Sequence, residues 1–402
     1  MLNIPSRIIS RKLLAFAAII IAVMTLSLIG GTNLTHAQLS CDNPPPPFDD
    51  PNLLERWQTV WDKIDVCKHS IEYSEIVSGG VPRDGIPPID NPQFESIEAA
   101  SDWLVDQSPV ISLEHNGVAR AYPLAIMTRH EVLNDVIGGD PIVVSFCPLC
   151  NSALAFNRVV DGQTLRFGVS GFLRNSDLIM WDRQTQSWWQ QFTGEAIVGE
   201  FTGTVLELIP TQVVGFGQFV EQYPDGEVLS RNTGLPISYG TNSYVGYDSN
   251  EVPFLFLGEP DDRIFPTERV LAGIVGGEPI AYPFSILAEE RVINDTVGGR
   301  EVVAFYESGQ ASALDQRDID ASEDVGTAIL FRRELNDEIL TFSVNSDGLI
   351  QDDQTGSTWT IFGRAIDGEL AGSQLQQVNA APHFWFAWAA FQPDTILFGE
   401  EA

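Results

Sequence analysis

The chain has 402 residues, of which 44% are hydrophobic, and sets 55 acidic against 22 basic side chains for a formal charge of −33. That much apolar material suffices for one large core or two ordinary ones. So negative a surface excludes nucleic acid and an anionic membrane face as partners, and leaves a protein or a small molecule open.

Arg7, Arg11 and Lys12 precede an apolar run over residues 13–29, and Thr35-His36-Ala37 follows as a small-residue cleavage pattern. Residues 1–37 therefore read as a signal peptide, and the protein as exported to the periplasm or beyond. The run is about long enough to span a bilayer, so an uncleaved N-terminal tether is the alternative. Removing this segment leaves 19 basic residues against the same 55 acidic ones.

Export permits disulfides. Cys41 and Cys67 read as a structural pair that closes a loop of about 26 residues, worth roughly 3 kcal/mol in the chain-entropy model. They belong to an N-terminal arm, residues 38–84, in which the prolines at 44–47 enforce extended chain. Leu53, Leu54, Trp57, Val60, Trp61 and Ile64 then fall at helical spacing, which predicts an amphipathic helix over residues 51–66.

The body follows as a first repeat, residues 85–234, a connecting segment, 235–263, and a second repeat, 264–402. The first repeat is expected to hold a helix over 123–134, a Gly138-Gly139 turn and a strand over 142–146. Asp161-Gly162 then marks a hairpin between runs at 153–160 and 164–169. LIMWDR and SWWQQF, joined by 184–186, read as further strands. The second repeat gives the same order, with a hairpin of 329–333 and 340–344 and with QTGSTW at 354–359 matching QTQSWW at 184–189. The fold class is α+β, mostly β, as two tandem copies of a helix/strand/β-hairpin unit. The connecting segment, rich in Gly, Ser, Asn and Tyr, is either a linker or a flap over a site.

Residues 119–155 align without a gap to 279–315, and the alignment separates scaffold from chemistry. Tyr122, Pro123, Asn134, Asp135, Gly138 and Gly139 recur as Tyr282, Pro283, Asn294, Asp295, Gly298 and Gly299. In contrast, His130 faces Glu290, Cys147 faces Glu307 and Cys150 faces Gln310. The reactive side chains occur once.

Cys147-Pro148-Leu149-Cys150 runs from one strand into another, which lacks the helix N-terminus of a thioredoxin-like site and suits a metal knuckle. Three readings of the pair compete: a thiolate site for copper or zinc, a reversible dithiol, and an inert disulfide within a non-catalytic module that binds a glycan or a protein. His130 is the candidate third metal ligand, because it disappears together with the cysteines. Asp177, Arg174 and Ser170 are candidates to line the site. Asp177 lacks a clear counterpart in the second repeat, whereas Asp182 matches Asp352. No Ser/His/Asp order, phosphate-binding loop, HExxH or haem-attaching CxxCH occurs, so no nucleotide or haem is expected.

The runs HEVLND, FCPLCNSALAF, FGVSGFLRNSDLIMWDRQTQSWWQQFTGEAIVG and VLSRNTG resemble a prokaryotic family known as domain of unknown function 3179. The resemblance covers roughly residues 85–400. It implies that His130, Cys147 and Cys150 lie in the family's signature segments and that the protein is exported or membrane-associated; it implies no activity. Asn151 departs from the knuckle pattern, which would place glycine there.

Overall fold

Residues 59–400, the part of the chain that the computed structural model describes, form short, mainly antiparallel sheets with few helices, in strands rich in β-branched and aromatic residues. The protein is mostly β. The expected signal peptide, the Pro-rich stretch, Cys41 and with it the Cys41–Cys67 pairing lie outside the described residues. No helix among the described residues is long and apolar enough to cross a membrane.

The helix expected to reach residue 66 has ended by Trp61. Trp61 instead anchors irregular chain, edge-on to Trp181 and Trp188 at 5.5 and 5.4 Å. The arm thus docks through aromatic packing.

In the first half, Pro109–His115 and Val118–Pro123 form a hairpin over Asn116-Gly117, both at positive φ. Pro123 caps the helix Leu124–His130, shorter than the expected 123–134. The helix stops because Glu131 turns to φ 60°, and Val132–Ile137 then pairs with Asp140–Cys147 across Gly138-Gly139. The Gly-Gly turn therefore joins two strands. A Cβ on Gly138 would stand 2.7 Å from the His115 carbonyl oxygen, so the side-chain-free residue is a packing requirement.

Asp140–Cys147 next pairs with Ser152–Asn157, and Asp161-Gly162 makes the expected tight turn with φ 50° and 77°. Phe167–Arg174, Asp177–Asp182 and Trp188–Gln190 follow as adjacent strands, as the LIMWDR and SWWQQF runs suggest. Gln212–Gly215 returns to pair with Pro109–His115, and the helix Phe216–Gln222 follows it.

The order recurs in the second half. Arg269–Val275 and Glu278–Pro283 form a hairpin, Phe284–Glu290 is helical, and Val292–Val297, Arg300–Glu307 and Thr327–Arg332 form a sheet. Ala380–Phe384 returns to Arg269–Val275 and leads into the helix Trp385–Phe391.

One part of the gapless alignment is overturned. Cys147 pairs with Ser152 across a four-residue turn, but Glu307 pairs with Thr327 across residues 308–326. The counterpart of SALAFN is thus TAILFR, and the look-alike SALD at 312–315 lies in a loop. That loop brings Ala313 and Leu314 into the core cluster around Cys147 and Cys150. A second cluster joins Val214, Phe216 and Phe219 to Val303, Phe305 and Phe331, so the halves share their apolar cores.

Candidate functional site

The turn after Cys147 is built from Pro148–Cys150 as one 3-10 turn, closed by Asn151 at φ 48° and ψ 38°. Proline suits the first position, where no amide donor is needed. Asparagine tolerates the left-handed region better than most side chains, so Asn151 supplies the conformation that glycine would. Both cysteines are buried free thiols. They stand 3.6 Å apart.

Facing them is the tip of the next hairpin. Asn175 and Ser176 both take positive φ, 52° and 64°, which turns Phe167–Arg174 sharply into Asp177–Asp182. Asp177 is fully buried. Its Oδ2 accepts from Gln190 Nε2 at 2.5 Å and from the Phe192 amide at 3.0 Å. Its Oδ1 has no hydrogen-bond partner among the described residues, and the carboxyl group interacts with both thiols. One ligating atom each from Cys147, Cys150 and Asp177 lies within 4.8 Å of the other two.

Burial governs the protonation of this group. It pushes the Asp177 carboxyl up to about 7, against the hydrogen bonds from Gln190 and Phe192. Burial likewise raises Cys147, and raises Cys150 further because its neighbour's thiol adds to the effect. Without a cation, burial favours the protonated form of all three groups. Glu131 is also buried and is pushed up to about 8, first by desolvation; Asp177 adds to the shift. Its field reaches Cys147 as well.

His130 is not brought to the sulfurs. It is fully buried as the last residue of its helix, with Nδ1 2.6 Å from the Pro87 carbonyl oxygen and Nε2 2.7 Å from the Tyr239 hydroxyl. A carbonyl only accepts, so Nδ1 carries the proton and Nε2 accepts from tyrosine, which leaves no lone pair for a metal. The acidic Asp177 stands where the sequence reading placed histidine. Arg174 is engaged with Glu75 at 2.7 Å, and Ser170 Oγ accepts from the Phe172 amide at 3.0 Å beside the bulge at Gly171. Neither belongs to the cysteine–aspartate group.

The connecting segment folds over this region. Tyr239 meets His130, and Tyr244 lies 3.3 Å from Glu131. The Ser176 hydroxyl donates to the Phe254 carbonyl at 2.6 Å, and the Phe254 amide donates to the Tyr247 hydroxyl at 3.1 Å. The 308–326 loop clamps the segment from outside, through the Gly246 amide to the Asp315 carbonyl at 2.7 Å. Glu131, Tyr244 and Tyr247 went unnoticed in the sequence. The signal for Glu131 was its counterpart, Arg291, a charge reversal next to His130.

The protein is thus of the class that holds a buried thiol–carboxylate group at the junction of two β-hairpins. The model of the family described as "Protein of unknown function (DUF3179)" matches residues 83–395, and the chain belongs to that family. Comparison with curated proteins and with solved structures returned no match.

Proposed function

We propose that Cys147, Cys150 and Asp177 bind one transition-metal ion, with zinc favoured over copper. The observation that carries this reading is the convergence of two sulfurs and an otherwise unpartnered carboxylate oxygen in a buried pocket. A tetrahedral zinc with Zn–S bonds of about 2.3 Å sets its sulfurs about 3.8 Å apart. The cysteine pair stands at 3.6 Å. A cation would also let three buried acids ionise together, which their present burial opposes. The hard carboxylate beside two soft sulfurs suits borderline Zn(II) better than Cu(I). Three protein ligands leave a fourth position, and Glu131 is the further acidic group whose field reaches the site.

The wider reading is of an exported protein with an N-terminal signal, in which one ancestral unit was duplicated and the second copy serves as scaffold. The runner-up is a dithiol/disulfide pair, supported by the closeness of the two sulfurs. Opposing it, both thiols are buried, both are raised in pKa, and neither sits at an α-helix N-terminus.

Elemental analysis with thiol counting on the full protein tests this directly, beside Cys147→Ser/Cys150→Ser, Asp177→Asn and His130→Gln. About one zinc per chain is expected in the wild type and in His130→Gln, and none in the other two. A metal-free wild type with both thiols oxidised would sink the proposal in favour of the dithiol.

A further inference from the structure

A cavity of about 360 Å³ lies between the halves, walled among others by Leu154, Phe192 and Leu208 from the first and by Ala272, His383 and Trp388 from the second. Its size is that of a small-molecule site. No charged residue lines it, in a chain where 19% of residues are charged. A charged ligand would lose its hydration there without gaining a counter-ion.

Thr193, Thr211, Asn379 and Gln392 are polar members of the lining, and His383 stands apart from them as a buried ring with an unpartnered nitrogen. His383 is 3% exposed, and its Nδ1 has no hydrogen-bond partner among the described residues. The ring stacks on Trp388, with centroids 5.6 Å apart and planes at 17°, and meets Phe192 at 4.6 Å. Burial holds its pKa down at about 3, so the imidazole is neutral and offers one donor and one acceptor.

The first half shows what the fold itself requires at this place. His383 pairs with Val270, which pairs with Pro283; Val214 pairs with Val110, which pairs with Pro123. By register, His383 and Val214 are equivalent. Around Val214 the side chains of Phe219, Phe331 and Phe362 join one core cluster. The scaffold is therefore complete with valine, and a buried histidine with an unsatisfied nitrogen exceeds its needs.

We propose that this cavity binds a small, uncharged, largely aromatic molecule whose single hydroxyl group hydrogen-bonds to His383. The hydroxyl both donates and accepts, which matches a neutral imidazole, and the ring system fits between aromatic and aliphatic walls. The site shares Phe192 with the surroundings of Asp177 but does not rest on a metal at the cysteine–aspartate group.

The test is titration of the full protein with 2-naphthol and, separately, naphthalene, followed by calorimetry or tryptophan fluorescence. Expected are saturable one-to-one binding of both, loss of both in Leu208→Trp, which fills the cavity, and naphthol binding weakened at least about five-fold in His383→Phe. Naphthalene affinity should stay unchanged in His383→Phe, which keeps the stacking. Thermal unfolding checks that the variants fold, with Thr211→Phe as the filling variant if Leu208→Trp does not. No saturable binding, equal binding in a folded filling variant, or unchanged naphthol affinity in His383→Phe would each overturn the proposal.

Discussion

The two halves share several hydrogen-bonded motifs, yet differ around the cysteines. Tyr122 donates to Asp135 at 2.7 Å, and Tyr282 to Asp295 at 2.9 Å. Asn134 bridges both backbone groups of Phe167, and Asn294 those of Phe342. Asp182 gathers Thr185 and Trp189, and Asp352 gathers Thr355 and Trp359. Residues that recur are thus engaged with backbone and neighbours, as scaffold must be. By contrast, Glu131 and Cys147 have as counterparts Arg291 and Glu307, whose opposite charges attract, while burial remains the larger influence on Glu307. The first half carries buried acids where the second sets Arg291 against Glu307, and the difference is local to the cysteine turn.

The comparison is easiest to break at the shared aspartates. Asp182→Ala and Asp352→Ala should each destabilise by about 3 kcal/mol, since each strands several buried donors. Similar losses in denaturant unfolding would confirm equal scaffold roles; a large loss at one site only would refute them.

A smaller effect sharpens the His383 and Val214 contrast. His383 is depressed from 6.5 to about 3 in the folded protein. Its stabilisation is therefore complete above the unfolded value and is lost as pH falls from 6.5 toward 3. At about 1.4 kcal/mol per pH unit, wild type should lose about 2 kcal/mol relative to His383→Phe between pH 6.5 and 5. Parallel stability curves for the two proteins would show that His383 is not held neutral.

Smaller again is His130→Gln, with an expected loss of roughly 1 to 2 kcal/mol from the bonds to Pro87 and Tyr239, and with metal content untouched. Loss of metal in this variant would restore histidine as a ligand.

What the sequence revealed follows from how local each feature is. The Cys-Pro-Leu-Cys turn between strands, the Asp-Gly hairpin and the paired aspartates at 182 and 352 are all written within a few residues. Asp177 was legible only as a candidate to line the site, because it reaches the sulfurs through the turn at Asn175-Ser176, 27 positions after Cys150. Its lack of a counterpart also has a geometric cause: Phe167 to Asp182 spans fifteen steps, whereas Phe342 to Asp352 spans ten, so the second hairpin has no such tip. His130 misled because occurrence in one half signals any specific role. Its partners, Pro87 and Tyr239, come from segments too distant for spacing to reveal. The resemblance of SALD to SALA misled because four residues cannot distinguish a strand from a loop that ends in the same core.

The smallest stability effect carries the most information. Asp177→Asn keeps the side-chain shape, and its one oxygen can still accept from Gln190 and Phe192 as Oδ2 does now. The amide nitrogen then replaces Oδ1, the atom with no hydrogen-bond partner among the described residues. In metal-free protein the change should therefore stay within about 1 kcal/mol, since it removes a buried acid without opening a cavity, and the new amide N–H groups meet the sulfurs as weak acceptors. In protein supplied with zinc, the wild type should gain thermal stability by mass action and the variant should not. Asp182, equally buried, does the opposite: its loss damages the fold whether or not metal is present. If Asp177→Asn unfolds the metal-free protein as Asp182→Ala does, Asp177 is one more scaffold aspartate, and the distinction between the halves fails at the residue on which it most depends.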